Sequence, residues 1–251
     1  MAMPLWDDNP FTKPTKPWAT WGIILLNIIV FFLEGATLND SGNPVIVINY
    51  GLTPATLTQP GTLFSLIPVD VTLVTYMFLH ADILHLFGNM IFLFVFGDDI
   101  EEAMGSLRFV VFYLACGIVG ALFYLASTPQ SSIPLIGASG ACSGVIAAYL
   151  MLRPCAKIRV LLFFFVTKLD AFWVLGSWAL IQIYQLASRA DDDVAYWCHI
   201  GGFVTGAALF PLMRLPGVEL FECAEHKELR LGPVPDPSRL PGAAPREPTI
   251  R

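Results

Sequence analysis

Apolar residues fall along this chain in long runs separated by short polar breaks. The pattern predicts six membrane-spanning helices, at about 18–34, 82–103, 107–126, 139–153, 171–187 and 197–213. A span needs about 20 predominantly apolar residues. Trp18 and Trp21 open the first run at the depth where aromatic belts form. Residues 158–166 are also apolar, but nine residues of helix cover only ~14 Å, half a bilayer. They read as an interfacial segment leading into the fifth span. Residues 35–70 form a long loop rich in Gly, Pro, Asn and Thr. The expected fold class is all-α: a polytopic membrane protein built as a six-transmembrane-helix bundle.

Composition agrees with a lipid-facing surface. Mean hydropathy is +0.65, and only 14% of the 251 residues are charged, where a soluble domain carries about 25%. Three regions follow. Residues 1–17 are a polar, flexible cytoplasmic lead-in with four prolines. Residues 18–213 are the membrane domain. Residues 214–251 are a Pro-rich, largely disordered cytoplasmic tail. Asp7 and Asp8 precede the first apolar run, so no cleaved signal peptide is expected. The net charge is −6 and no basic stripe occurs, which excludes nucleic acid as a partner. The five cysteines contain no CxxC. They read as small apolar residues or free thiols, with no disulfide framework and no metal site.

Charge placement sets the orientation. With the N-terminus inside, Lys13, Lys16, Arg108, Arg153, Lys157, Arg159, Lys168 and Arg214 all flank cytoplasmic ends. The short outer loops carry Arg189 against Asp191, Asp192 and Asp193. This is the positive-inside bias, with both termini cytoplasmic.

In that orientation Ser139, His199, His85 and Asn89 each lie near the outer start of a span, although they come from three different helices. Polar groups at membrane depth are costly and are usually functional. A serine beside a histidine can form a nucleophile and its base. Ser139 stands where a loop becomes a helix, and the free N–H groups of a first turn can face an oxyanion. By itself Ser139 also fits plain helix packing, beside Gly137, Gly140, Ser143 and Gly144. Gly202-xxx-Gly206 gives the His199 helix a small-residue face. No Asp or Glu is clearly placed as a third member, so a two-residue dyad is the economical reading. His85 and Asn89 share a helical face, as a packing pair or as donors to an oxyanion. His80 reads as a loop-holding residue.

The residues His80-xxxx-His85-xxx-Asn89, Glu101-xxx-Gly105, Gly137-Ala138-Ser139-Gly140 and His199-xx-Gly202-xxx-Gly206 occur in this order. In these motifs the chain resembles the rhomboid intramembrane serine proteases over about residues 18–213. The resemblance implies Ser139 as nucleophile, His199 as its base, and His85 and Asn89 as oxyanion support. His80, Glu101, Gly105, Gly137, Gly140, Gly202 and Gly206 would be structural. Three positions depart from the family pattern. Val71-Thr72 stands where Trp-Arg is common, Ser143 stands where some members place an aromatic under the histidine ring, and Cys198 replaces the usual alanine.

The expected activity is cleavage of transmembrane protein substrates within or near the bilayer, without cofactor or metal, in a bacterial inner membrane. Two alternatives stand beside it. One is a non-proteolytic relative that binds membrane clients, against which the retention of Ser139 and His199 counts. The other is a small-molecule transporter, against which the lack of buried carboxylates in the spans and of an internal repeat counts.

Single cysteines in a Cys-free background test the orientation. Residues 128–137 should label from the outer side and residues 154–157 from the inner side. Labelling of 154–157 only from outside would overturn the six-span count.

Overall fold

The computed structural model describes residues 3–7, 16–36, 45–58, 67–162, 164–188 and 194–223. Strand β1 (Met3–Asp7) is followed by helix α1 (Trp18–Gly35), then by two short helices, α2 (Val45–Tyr50) and α3 (Pro54–Thr58). Another short helix, α4 (Thr72–Thr75), leads into the bundle helices α5 (Ile83–Met104), α6 (Ser106–Ser127) and α7 (Ser139–Leu152). A hairpin, β2 (Lys157–Leu162) and β3 (Phe165–Asp170), precedes α8 (Ala171–Ala187) and α9 (Tyr196–Met213). Helices α1, α5, α6, α7, α8 and α9 fall on the six predicted apolar runs. Three of them, α1, α5 and α6, are long and apolar enough to cross a membrane. Their outward faces expose large apolar side chains such as Leu25, Phe32, Phe94 and Val111, the surface expected against lipid.

Helix α7 sits at the centre. Ten of its residues, Gly140–Tyr149, are buried, and Tyr76, Phe96, Phe112, Tyr113 and Phe210 are among the fully buried side chains around it. Glycines set how close its neighbours come. A Cβ on Gly202 of α9 would overlap the carbonyl oxygen of Gly140, and one on Gly206 would overlap that of Gly144. Helices in contact at the backbone gain dispersion energy that larger side chains would forbid.

Glu101 ties three helices together. Its carboxylate accepts from the backbone N–H groups of Ala19 (3.0 Å) and Thr20 (2.7 Å) and from the hydroxyls of Thr20 (2.8 Å) and Ser106 (2.6 Å). The first N–H groups of a helix have no partner within it, so an α5 side chain supplies the cap that Pro17 cannot give α1. Gly105 makes the α5–α6 corner with φ +83°, a region that favours glycine.

Four expectations need correction. First, the fold is not purely α-helical. A three-stranded antiparallel sheet, in the order β1-β2-β3, occupies one end. Ile158 and Val160 are buried while Lys157 and Arg159, which alternate with them, are more accessible, a period of two that belongs to a strand. The apolar stretch 158–166 is thus a hairpin. Second, part of the lead-in is ordered. Met3–Asp7 pairs with β2, the Arg159 guanidinium lies 5.0 Å from the Trp6 ring centroid, and Tyr149 Oη donates to Asp7 at 2.6 Å.

Third, Cys155 and Cys223 form a disulfide across 68 residues, tying the α7–β2 loop to the chain beyond α9. Such a distant pair leaves no spacing signal. The tail expected to be disordered lies, from residue 224 on, outside the described residues. Fourth, the predicted spans do contain buried carboxylates: Glu34, Asp99 and Glu101. Each is held. Glu34 accepts from the backbone N–H of His80 at 3.3 Å, and Asp99 pairs with Arg153 at 3.6 Å.

Removing the Glu101 carboxylate strands four donors, two of them backbone. Glu101→Ala should therefore destabilise the folded protein by roughly 2–3 kcal/mol, read as a lower Tm in detergent. An unchanged Tm would show that α1 is held by its apolar face alone.

Candidate active site

Local backbone brings the serine into position. Gly137 has φ +118°, and its N–H donates to the Tyr76 carbonyl at 2.9 Å. A Cβ there would lie 2.7 Å from the His85 ring, so only glycine lets the loop turn this close to α5. Two residues later Ser139 opens α7. His199 enters from the first turn of α9, held at the depth of Ser139 by the glycine contacts below it. Ser139 Oγ and His199 Nε2 are 2.7 Å apart, a hydrogen bond in which the hydroxyl can donate to the imidazole.

The imidazole of His199 is buried. Its Nδ1 lies 2.8 Å from Gln182 Oε1 of α8. Trp178, one turn earlier on α8, faces the ring with centroids 6.0 Å apart and planes at 37°. Tyr196 meets it edge-on at 6.3 Å. An aromatic partner thus reaches the histidine from α8, while Ser143 turns back to donate to the Ser139 carbonyl at 2.6 Å. Sequence reading missed Gln182 and Trp178. Their signal was available: a glutamine in a mostly apolar run, four residues after a tryptophan, and so on one helical face.

His80, His85 and Asn89 gather beside Gly137. Asn89 Nδ2 donates to His80 Nε2 at 3.0 Å. Burial, helped by the neighbouring His85, pushes the His80 imidazole down to about 3, so it is neutral and can accept. The amide keeps a second N–H free. The His80 and His85 rings meet edge to face at 5.1 Å. Asp82 caps α5, accepting from the N–H groups of Leu84 and His85 at 2.8 and 2.9 Å. The loop-holding part expected of His80 is therefore joined by a second contact, to the Asn89 side chain.

Ser139, His199, His85 and Asn89 line one cavity of about 960 Å³, with Phe92 and Trp178 among its apolar walls. Three helices thus deliver their predicted polar residues to a single space. Glu101, Gly105, Gly202 and Gly206 lie elsewhere, in the helix contacts described above. Gly140 packs against Cys198 and Tyr76, and Tyr76 Oη donates to the Gly117 carbonyl at 2.7 Å.

A serine hydrogen-bonded to a buried histidine thus stands inside an apolar helical bundle. Comparison with known proteins gives the family: a model of the rhomboid domain matches residues 70–215, and the chain belongs to the rhomboid family. It is an integral membrane protein. The rhomboid protease GluP of Bacillus subtilis is 35% identical over 135 residues, covering 54% of this chain and 24% of that protein. The mitochondrial RHOMBOID-like protein 6 of Arabidopsis thaliana is 35% identical over 145 residues, covering 57% and 44%. Rhomboid-like protease 3 of Toxoplasma gondii is 32% identical over 137 residues, covering 54% and 49%. The chain spans between 24% and 49% of the length of these relatives.

Proposed function

We propose that this protein is an intramembrane serine protease using Ser139 and His199. The observation that carries the reading is the 2.7 Å contact between Ser139 Oγ and His199 Nε2. His199 takes the hydroxyl proton as Oγ attacks a peptide carbonyl. The tetrahedral oxyanion is held by N–H groups at the start of α7, with Asn89 and His85 as side-chain donors. His199 then gives the proton to the leaving amine. A water enters and loses a proton to His199 as it attacks the acyl carbon, and His199 returns that proton to Ser139 Oγ as the carboxylic acid leaves.

Helix α7 supports the depth of the site. Fourteen residues reach ~21 Å against a hydrocarbon core of ~30 Å. A helix this short can stand in the bilayer because protein, not lipid, surrounds it. In a bundle whose six spans are α1, α5, α6, α7, α8 and α9, its serine then starts below the outer surface. The substrates would be transmembrane segments of other proteins. A spanning helix hides its carbonyls in hydrogen bonds, so Gly, Pro or polar residues near the cut would ease the local unwinding.

The transporter reading loses support because the buried carboxylates are held by structural partners and none of the three lines the cavity. Client binding without cleavage leaves the Ser139–His199 geometry without a use. Placement of both termini in the cytoplasm rests on the charge bias. Against it stands the Cys155–Cys223 disulfide, because disulfides are rare in the cytosol. The labelling experiment above separates the two.

Ser139→Ala and His199→Ala should each abolish cleavage of a reporter membrane protein while leaving a folded, inserted chain. The double variant should be no worse than either, because the pair acts as a unit. Near wild-type turnover by Ser139→Ala would overturn the assignment. Asn89→Ala should lower kcat with little change in KM. One oxyanion donor is worth about 10²–10³-fold where no other compensates. A smaller loss is expected here for Asn89 alone and a larger one for the double change with His85. Helix packing alone would instead lower Tm and leave kcat of the folded fraction unchanged.

A further inference from the structure

His199 makes one hydrogen bond for which a two-residue mechanism has no task. We propose that Gln182 is a positioning residue, the third member of the site, which selects the imidazole tautomer that Ser139 needs. The inference rests on the serine-protease reading above.

Start from the cost of the residue. Gln182 is 7% exposed, while its neighbours Ile181 and Ile183 are 51% and 55% exposed on the outer side of α8. A glutamine turned inward at membrane depth is stable only when its amide is bonded. Both ends of this amide have partners. The Nε2 group donates to the Trp178 carbonyl, one turn back, at 3.4 Å. A carbonyl can only accept, so the NH₂ end is held toward Trp178 and Oε1 is turned toward His199.

That orientation decides the chemistry. Oε1 can only accept, so His199 Nδ1 must carry the proton and donate across 2.8 Å. Nε2 is then unprotonated and faces the Ser139 hydroxyl as an acceptor. With the other tautomer, Nε2–H would point at Oγ and no proton could leave the serine. Trp178 and Tyr196 restrict the ring's tilt, but a ring contact does not choose between tautomers. The Gln182 amide does.

An amide also suits the medium. When His199 becomes an imidazolium, Oε1 meets the new charge with a dipole already aimed at it. A carboxylate would do so more strongly, yet it would sit as an unpaired buried anion whenever the imidazole is neutral. A second bond between the same helices, Gln185 Nε2 to Tyr196 Oη at 3.4 Å, lies on the next turn of α8. The tautomer of His199 therefore depends on α8 staying seated against α9.

The test uses the full chain in detergent with a cleavable reporter and three variants: Gln182→Met, Gln182→Glu and Ser139→Ala. Gln182→Met keeps the bulk and removes the acceptor. It should lower kcat by about 10–100-fold, the range known for groups that orient metal-bound histidines, with KM nearly unchanged. Gln182→Glu, assayed at mildly alkaline pH, restores an acceptor and should recover much of that loss. In ¹⁵N spectra of histidine-labelled wild type, His199 should be protonated at Nδ1, and Gln182→Met should shift it toward a mixture. Wild-type kcat in folded Gln182→Met overturns the proposal, as does equal loss in the Met and Glu variants. So does an Nε2-protonated His199 in the wild type, which needs no variant to fold. If Ser139→Ala cleaves normally, the Ser139–His199 assignment fails instead. If it is inactive and Gln182→Met is not impaired, only the role of Gln182 fails.

Discussion

Everything at the site depends on how closely α7 and α9 approach. Gly202 lies on the carbonyl of Gly140, and Gly206 on that of Gly144. These two contacts, one helical turn apart, fix both the separation of the helices and their relative height. Ser139 and His199 sit at the first turns just above them, and their 2.7 Å separation follows from that register. A single methyl group at Gly202 would push the backbones apart. Lipid gives helices no hydrophobic reason to associate, so close packing and interhelical hydrogen bonds must do so.

The same low-dielectric setting explains the treatment of polar groups. An unpaired polar group costs more inside the bundle than in water. Glu101 therefore meets four donors at the foot of α1. Asn89 donates to His80 beside the cavity, and both ends of the Gln182 amide are bonded. The residues drawn into the proposed reaction are thus already oriented before any substrate arrives. Preorganised donors of this kind need no rearrangement as charge develops.

One part of the molecule obeys a different rule. The sheet stands at the end of the bundle where the strongly apolar runs give out. Lys157 and Asp170 pair across the two strands of its hairpin, and Phe164 at the turn is 93% exposed. Ile158 and Val160 alternate with charged residues, and that pattern buries a strand face but not a helix face. The lead-in joins because the open edge of β2 offers unpaired backbone groups, which Met3–Asp7 fills.

Several features were legible in the chain by itself. Six apolar runs placed six helices within a few residues, because hydrophobic length is a local property. Ser139, His199, His85 and Asn89 stood out as polar residues at the starts of apolar runs, and they do line one cavity. Gly202-xxx-Gly206 announced a close helix contact through residue size alone. The partners across that contact were decided only by the tertiary structure. Gln182 carries no motif, and its task exists only because α8 lies beside α9. Trp178 reaches the histidine from a helix that sequence order did not single out. The backbone bonds accepted by Glu101 and Glu34 and the pairing of Cys155 with Cys223 join residues tens of positions apart. Periodicity reports which face of a helix is apolar, but not which neighbour will cover it. That choice is made when the helices pack, and the third partner of His199 is made with it.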